Sequence, residues 1–191
     1  VTSAGKDSAE ATGIFALSTS IAVLIVALLA PILGAIADFK GMKKKLFSLA
    51  LALGILGGLS LTIAETWQAF IFLLVLARVG YSLCNVFYDG MLTDVTEDDN
   101  LDHVSGAGYA WGYIGSTIPF IIGLVLVLNA ERFGLDTILA TKISFLISVL
   151  WWALFSIPLL KNVQQVHYRE GHVREIGSVF RNLKHTLEKI W

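Results

Sequence analysis

The run from Gly13 to Ala37 contains no charged residue, and four further stretches of similar length carry at most one each. The hydrocarbon core of a bilayer is about 30 Å thick and a helix rises about 1.5 Å per residue, so a span needs about 20 apolar residues. The stretches that meet this are 13–37, 46–64, 67–88, 105–128 and 137–160, with Arg78 inside the third and Lys142 near the outer end of the fifth. They are apolar on every face, which no water-exposed helix tolerates, and they lack the alternation of a membrane barrel strand. The chain is therefore read as an all-α membrane protein, with five transmembrane helices bundled within residues 1–160 and membrane lipid as the first partner.

Several function classes fall away on charge and motif. Only 15% of residues are charged and 55% are apolar, against about 25% charged in a soluble domain. The 14 basic and 15 acidic residues nearly cancel, so no global field points to nucleic acid. Cys84 is the single cysteine and rules out an intrachain disulfide. His103, His167, His172 and His185 lack the spacing of zinc ligands, and neither a phosphate-cradling loop nor a nucleophile elbow is present. No cofactor or metal is expected.

Basic residues set the orientation, because lysine and arginine resist translocation. Lys40, Lys43, Lys44, Lys45 and Lys161 fall in one set of connections, together with the basic residues after it; Lys6 and Arg132 fall in the other. The first set is assigned to the cytoplasm. The acidic loop Asp94 to Asp102 lies on the same side without a lysine or arginine. After Leu160, Val173, Ile176, Phe180, Leu183, Leu187 and Ile190 recur at helical spacing, so 161–191 reads as a cytoplasmic amphipathic connector or, alternatively, a lipid-sensing helix. The chain opens on Val1 and closes on Trp191 inside that pattern; a fragment with a helix missing before Val1 is expected.

At the cytoplasmic end of the first span, Gly34, Asp38 and Gly41 are followed by Lys43, Lys44 and Lys45. Gly34 permits close helix approach, Asp38 can pair with a lysine or a helix N-terminus, and Gly41 allows a tight reversal. This pattern resembles the loop signature of the major facilitator superfamily. Asn85-Val86-Phe87-Tyr88-Asp89-Gly90 and the segment Val104 to Gly115 resemble that superfamily's vacuolar amino-acid effluxer-like, autophagy-related branch, over about Gly13 to Leu160. The resemblance implies helices two to six of a twelve-helix secondary transporter in a bacterial cytoplasmic or vacuolar-type membrane. It also implies alternating access, amino acids as a solute class, protons as a plausible coupling ion, and a missing C-terminal half as partner. Asp89 stands where the branch often has asparagine.

The candidate residues follow. Arg78 sits near mid-membrane, where an arginine costs about 2.5–3.5 kcal/mol. It is either a substrate or coupling residue or a structural arginine tied to backbone carbonyls. Asn85, Tyr88 and Asp89 share the cytoplasmic end of that helix and read as a gate or as a polar helix end reaching water. Gly34, Asp38, Gly41, Lys43 and Lys44 form the candidate cytoplasmic gate. Gly108, Gly112 and Gly115 share a helix face as a packing groove, a sliding surface between bundle halves, flanked by Tyr109 and Tyr113 as substrate contacts or packing aromatics. Two other classes are carried. Asp98, Asp99 and Asp102 suit an intramembrane magnesium-dependent prenyltransferase, but a second acidic cluster is lacking; a non-transporting membrane scaffold is the other.

Overall fold

In the computed structural model, which describes Gly5 and residues 7–170, the chain forms six α-helices: α1 (Ser8–Ala37), α2 (Met42–Ser60), α3 (Trp67–Gly90), α4 (Leu92–Val95), α5 (Leu101–Leu128) and α6 (Thr137–Asn162). The described residues form no strand, only one isolated bridge between Phe39 and Arg169. Four helices, α1, α3, α5 and α6, are long and apolar enough to cross a membrane. The fold is a partial helical membrane bundle.

Local chemistry starts and stops these helices. Asp7, Thr66 and Asp136 cap α1, α3 and α6 by accepting the backbone N–H of Glu10 (2.8 Å), Ala69 (3.2 Å) and Leu139 (2.7 Å), which satisfies donors that a first helical turn leaves orphaned. Between α1 and α2 the chain reverses through Gly41 at φ 72°, a left-handed conformation that only glycine adopts without a steric cost. Pro31, Pro119 and Pro158 lie inside helices without ending them; in a bundle, neighbouring groups can satisfy the freed carbonyls.

Two boundaries depart from the sequence expectation. The span expected at 46–64 is α2 at Met42–Ser60, displaced four residues toward its N-terminus because Gly41 starts it directly. Lysines 43–45 then fall inside its first turn, which is why α2 does not count among the four apolar spans although its length is about 28 Å. The fifth helix begins at Leu101 instead of 105, and most of the acidic loop is taken up by α4 and a helical turn at Asp98–Asn100. The amphipathic pattern from Val173 to Ile190 lies outside the described residues.

The core is built around α3. Ala22 and Val26 of α1, Phe47, Ala50 and Leu51 of α2, and Val79, Leu83, Cys84 and Phe87 of α3 are buried together. The α2–α3 crossing is close because Gly57 rests on Ala77 and Gly80 on Gly54. Helix α6 joins through α2, with Trp152 over Gly54 and Val149 over Gly58, and through edge-on contact of Trp152 with Tyr81 of α3 at 5.7 Å. Helix α5 packs on α6, where Ser144 Oγ donates to the Gly123 carbonyl at 3.2 Å. Large apolar side chains such as Leu28, Leu56, Phe72 and Phe120 point outward, the surface that lipid tails cover.

Candidate functional site

Helix α3 has two opposite stripes. At about 100° per residue, Val79, Leu83 and Phe87 form the buried stripe, and Arg78, Asn85 and Asp89 fall on a narrow stripe facing the other way. Asn85 and Asp89 are exposed and Arg78 is half-buried. The stripe rises about 16 Å from Arg78 to Asp89, from mid-helix to the C-terminal end of α3.

Arg78 makes no hydrogen bond to a backbone carbonyl among the described residues. Its guanidinium lies 5.9 Å from the centre of the Phe15 ring on α1, a cation–π contact worth about 0.5–2 kcal/mol that leaves its five N–H donors unused. The carbonyl-tied alternative is therefore not what the geometry contains. Phe15 had no signal in sequence, since one phenylalanine in an apolar run resembles any other.

Tyr88 is half exposed, and its hydroxyl lies 3.4 Å from where a Cβ on Gly108 would stand, bringing the C-terminal part of α3 near the N-terminal part of α5. The remainder of the expected groove is not a packed seam within the described residues: a Cβ on Gly112 or Gly115 would meet nothing within 4 Å. Tyr109 and Tyr113 are 62% and 74% exposed, so they project from α5 without packing on the chain's own core. The close-packing glycines are instead Gly54, Gly57, Gly58, Gly80 and Gly123, and only their contacts distinguish them from the others.

The end of the bundle at the α1–α2 turn, expected to be cytoplasmic, is arranged differently from expectation. A Cβ added on Gly34 would meet nothing within 4 Å, and Asp38 is exposed with no ion pair to a lysine among the described residues; the Asp38 carbonyl accepts the Arg169 N–H at 2.7 Å. The lysines turn elsewhere. Lys43 is buried and donates to Asp94 at 2.6 Å and to the Gly90 carbonyl at 2.9 Å, whereas Lys44 donates to the Val163 carbonyl at 2.9 Å. The Asp94 side chain is fully buried, and its second oxygen accepts the N–H groups of Val166 (3.0 Å) and His167 (2.9 Å). Burial pushes the Asp94 carboxyl up, but the Lys43 hydrogen bond, the backbone donors of His167 and Val166, and the Lys43 charge outweigh it, so Asp94 titrates below its ordinary range.

Asp94 is the residue at this end to which the sequence expectation gives no part. Its signal is the acidic loop without a basic residue, expected on the same side as Lys43, Lys44 and Lys45. Opposite charges in adjacent loops on one face are candidates for pairing. Asp98 and Asp99 lie exposed in the helical turn before α5 and Asp102 in its first turn, and the described residues contain no group of three or more acidic, histidine or cysteine side chains fit to hold a metal.

Compared with known proteins, residues 6–188 match the family profile of the Major Facilitator Superfamily. The chain is 36% identical over 190 residues to "Uncharacterized MFS-type transporter YxiO" of Bacillus subtilis (strain 168), an alignment covering 97% of this chain and 44% of that protein. The chain thus spans less than half the length of that curated relative. No solved structure gives a significant match.

Proposed function

The chain belongs to the Major Facilitator Superfamily, and from that premise we propose that it is the N-terminal bundle of a secondary transporter moving a small solute by alternating access. It is an integral, multi-pass membrane protein, and the bacterial origin of the similar protein favours the bacterial cytoplasmic membrane over a vacuolar one. The missing partner in the cycle is a C-terminal bundle of the same transporter.

The observation that carries the reading is the polar stripe of Arg78, Asn85 and Asp89 on the side of α3 turned away from the chain's own core. A guanidinium at membrane depth cannot face lipid without a cost of about 2.5–3.5 kcal/mol. The stripe therefore faces a cavity lined by protein and water, with Tyr88, Tyr109 and Tyr113 at its edges. Within the cavity, Arg78 is the group that can hold a carboxylate, since five donors in a planar fork suit bidentate recognition. That chemistry fits amino acids, the solute class of the vacuolar effluxer-like branch, to which we assign the chain on the Asn85 to Gly90 and Val104 to Gly115 segments. No carboxylate lies mid-membrane among the described residues, so a coupling proton would be carried by groups elsewhere in the transporter.

At the cytoplasmic end, the turn holding Gly34, Asp38, Gly41, Lys43 and Lys44 serves as the gate, and the open α5 face of Gly108, Gly112 and Gly115 is the surface that slides against the second bundle. No observation favours the prenyltransferase or the scaffold.

The test is uptake and efflux of a labelled amino-acid mixture in proteoliposomes holding the full-length transporter, with and without a pH gradient. Flux in the wild type that Arg78→Ala abolishes is the expected result. Undiminished flux in that variant removes Arg78 from the pathway, and no flux of any amino acid removes amino acids as the solute class.

A further inference from the structure

After α6 the chain does not leave the bundle but turns back across its cytoplasmic end. Over Val163 to Arg169 it touches three elements in succession. The Val163 carbonyl accepts from Lys44 of α2 at 2.9 Å, Gln165 Nε2 donates to the Ala37 carbonyl at the end of α1 at 2.9 Å, and the Arg169 N–H donates to the Asp38 carbonyl at 2.7 Å. Between them, the N–H groups of Val166 and His167 converge on one oxygen of Asp94, whose other oxygen holds Lys43. Lys40 lies 5.0 Å from the centre of the Tyr168 ring. An imidazole nitrogen of His167 stands 3.7 Å from Asp94 and adds an ion pair when protonated.

We infer that residues 163–169 are a cytoplasmic strap, fastened at Asp94, that ties the chain leaving α6 to the α1–α2 turn so that both move as one body.

Two features of the chemistry support this assignment, and a third shows which contact carries it. The strap bonds largely through its backbone and one amide side chain, with Val163 at its start packed against the apolar core; Val166 and His167 are themselves exposed. Its fastening point is a charged acceptor with a fully buried side chain, and hydrogen bonds to an ionised, desolvated acceptor are stronger than neutral ones. Finally, Gln165 Oε1 is buried with no hydrogen-bond partner among the described residues, an unmet acceptor that opposes docking. The strap therefore stays down because of Asp94 and not because of Gln165 alone. The placement matters because α5 and α6 form a pair that meets α1 to α3 mainly along the Gly54 and Gly58 seam within the bilayer; the strap is a second connection, on the cytoplasmic side. Without it, the chain beyond α6 would be free to move independently of the turn that carries Asp38.

Hydrogen–deuterium exchange on the full-length protein in lipid nanodiscs tests this. Protection of the Val166 and His167 amides is expected in the wild type. In Asp94→Ala exchange there should accelerate at least about tenfold, with the α2–α3 core around Phe47 and Leu83 unchanged. Exchange of these two amides at the free-peptide rate in the wild type, or full protection persisting in Asp94→Ala, overturns the strap. Should Asp94→Ala fail to fold, the paired substitution Phe39→Cys with Arg169→Cys, at the two residues that face each other in the bridge, decides. Rapid disulfide formation under mild oxidant supports the strap docked as described, and its absence, with each cysteine separately reactive to maleimide, shows the segment elsewhere.

Discussion

Arg78 is half-buried within an apolar helix and Asp94 has a fully buried side chain, and the two charges differ in what satisfies them. Asp94 has three hydrogen bonds and a buried lysine; Arg78 has one aromatic face. A charge fully paired within its own chain is structural in the first instance, and one left with free donors at membrane depth is a candidate for a ligand. Lys43→Ala should therefore destabilise the protein by about 3–5 kcal/mol, because it strands a buried carboxylate, and a thermal melt in detergent would register this. The companion variant Arg78→Lys should melt near the wild-type temperature but lose most flux, since lysine keeps the charge and not the fork. The pH dependence of the Asp94 contribution has a definite sign. Its folded pKa is depressed, so its stabilisation is complete above the ordinary carboxylate range and is lost only as pH falls through and below it. Between pH 6 and 8, melting temperatures of wild type and Asp94→Asn should keep a constant gap, which should narrow only in acid.

Among the helices, the same residue type carries opposite meanings. Gly57 is pressed against Ala77, with an added Cβ falling 2.9 Å from its Cα, whereas Gly112 on α5 has open space. Gly57→Leu should force α2 and α3 apart and cost about 1–3 kcal/mol or more, visible as loss of folded protein by size-exclusion chromatography. Gly112→Leu should insert and fold normally but block flux, if that face meets the second bundle. Transport unaffected by leucine at 112 would end the sliding-surface proposal. Spacing in the sequence singled out Gly108, Gly112 and Gly115 because they share a face; it was silent about Gly54, Gly57 and Gly80, whose partners lie on another helix.

For the molecule as a whole, the topology depends on α2, which the lysines in its first turn keep out of the set of four apolar spans. If it crosses, Lys45 and Glu65 lie on opposite sides of the membrane. Membrane-impermeant maleimide should then label Lys45→Cys only from the cytoplasmic side and Glu65→Cys only from the other, while native Cys84, 3% exposed, remains unreactive from both. Labelling of both positions from one side would mean that α2 does not span.

The amino-acid sequence alone determined that this protein lives in a bilayer, that it is helical, and about where four of its spans run, because insertion depends on the length and apolarity of contiguous residues. It also placed Arg78 about midway along its apolar run, which is a matter of counting along one helix. What faces what was decided only by the tertiary structure. Which glycines are pressed against neighbours, that Lys43 reaches Asp94 and not Asp38, that α2 starts at its lysines, and that the chain after α6 folds back over the α1–α2 turn all depend on residues far apart in sequence meeting in space. A lysine beside a membrane looks the same in sequence whether it snorkels to water or is buried against a carboxylate. The distinction lies in the partner that folding brings to it.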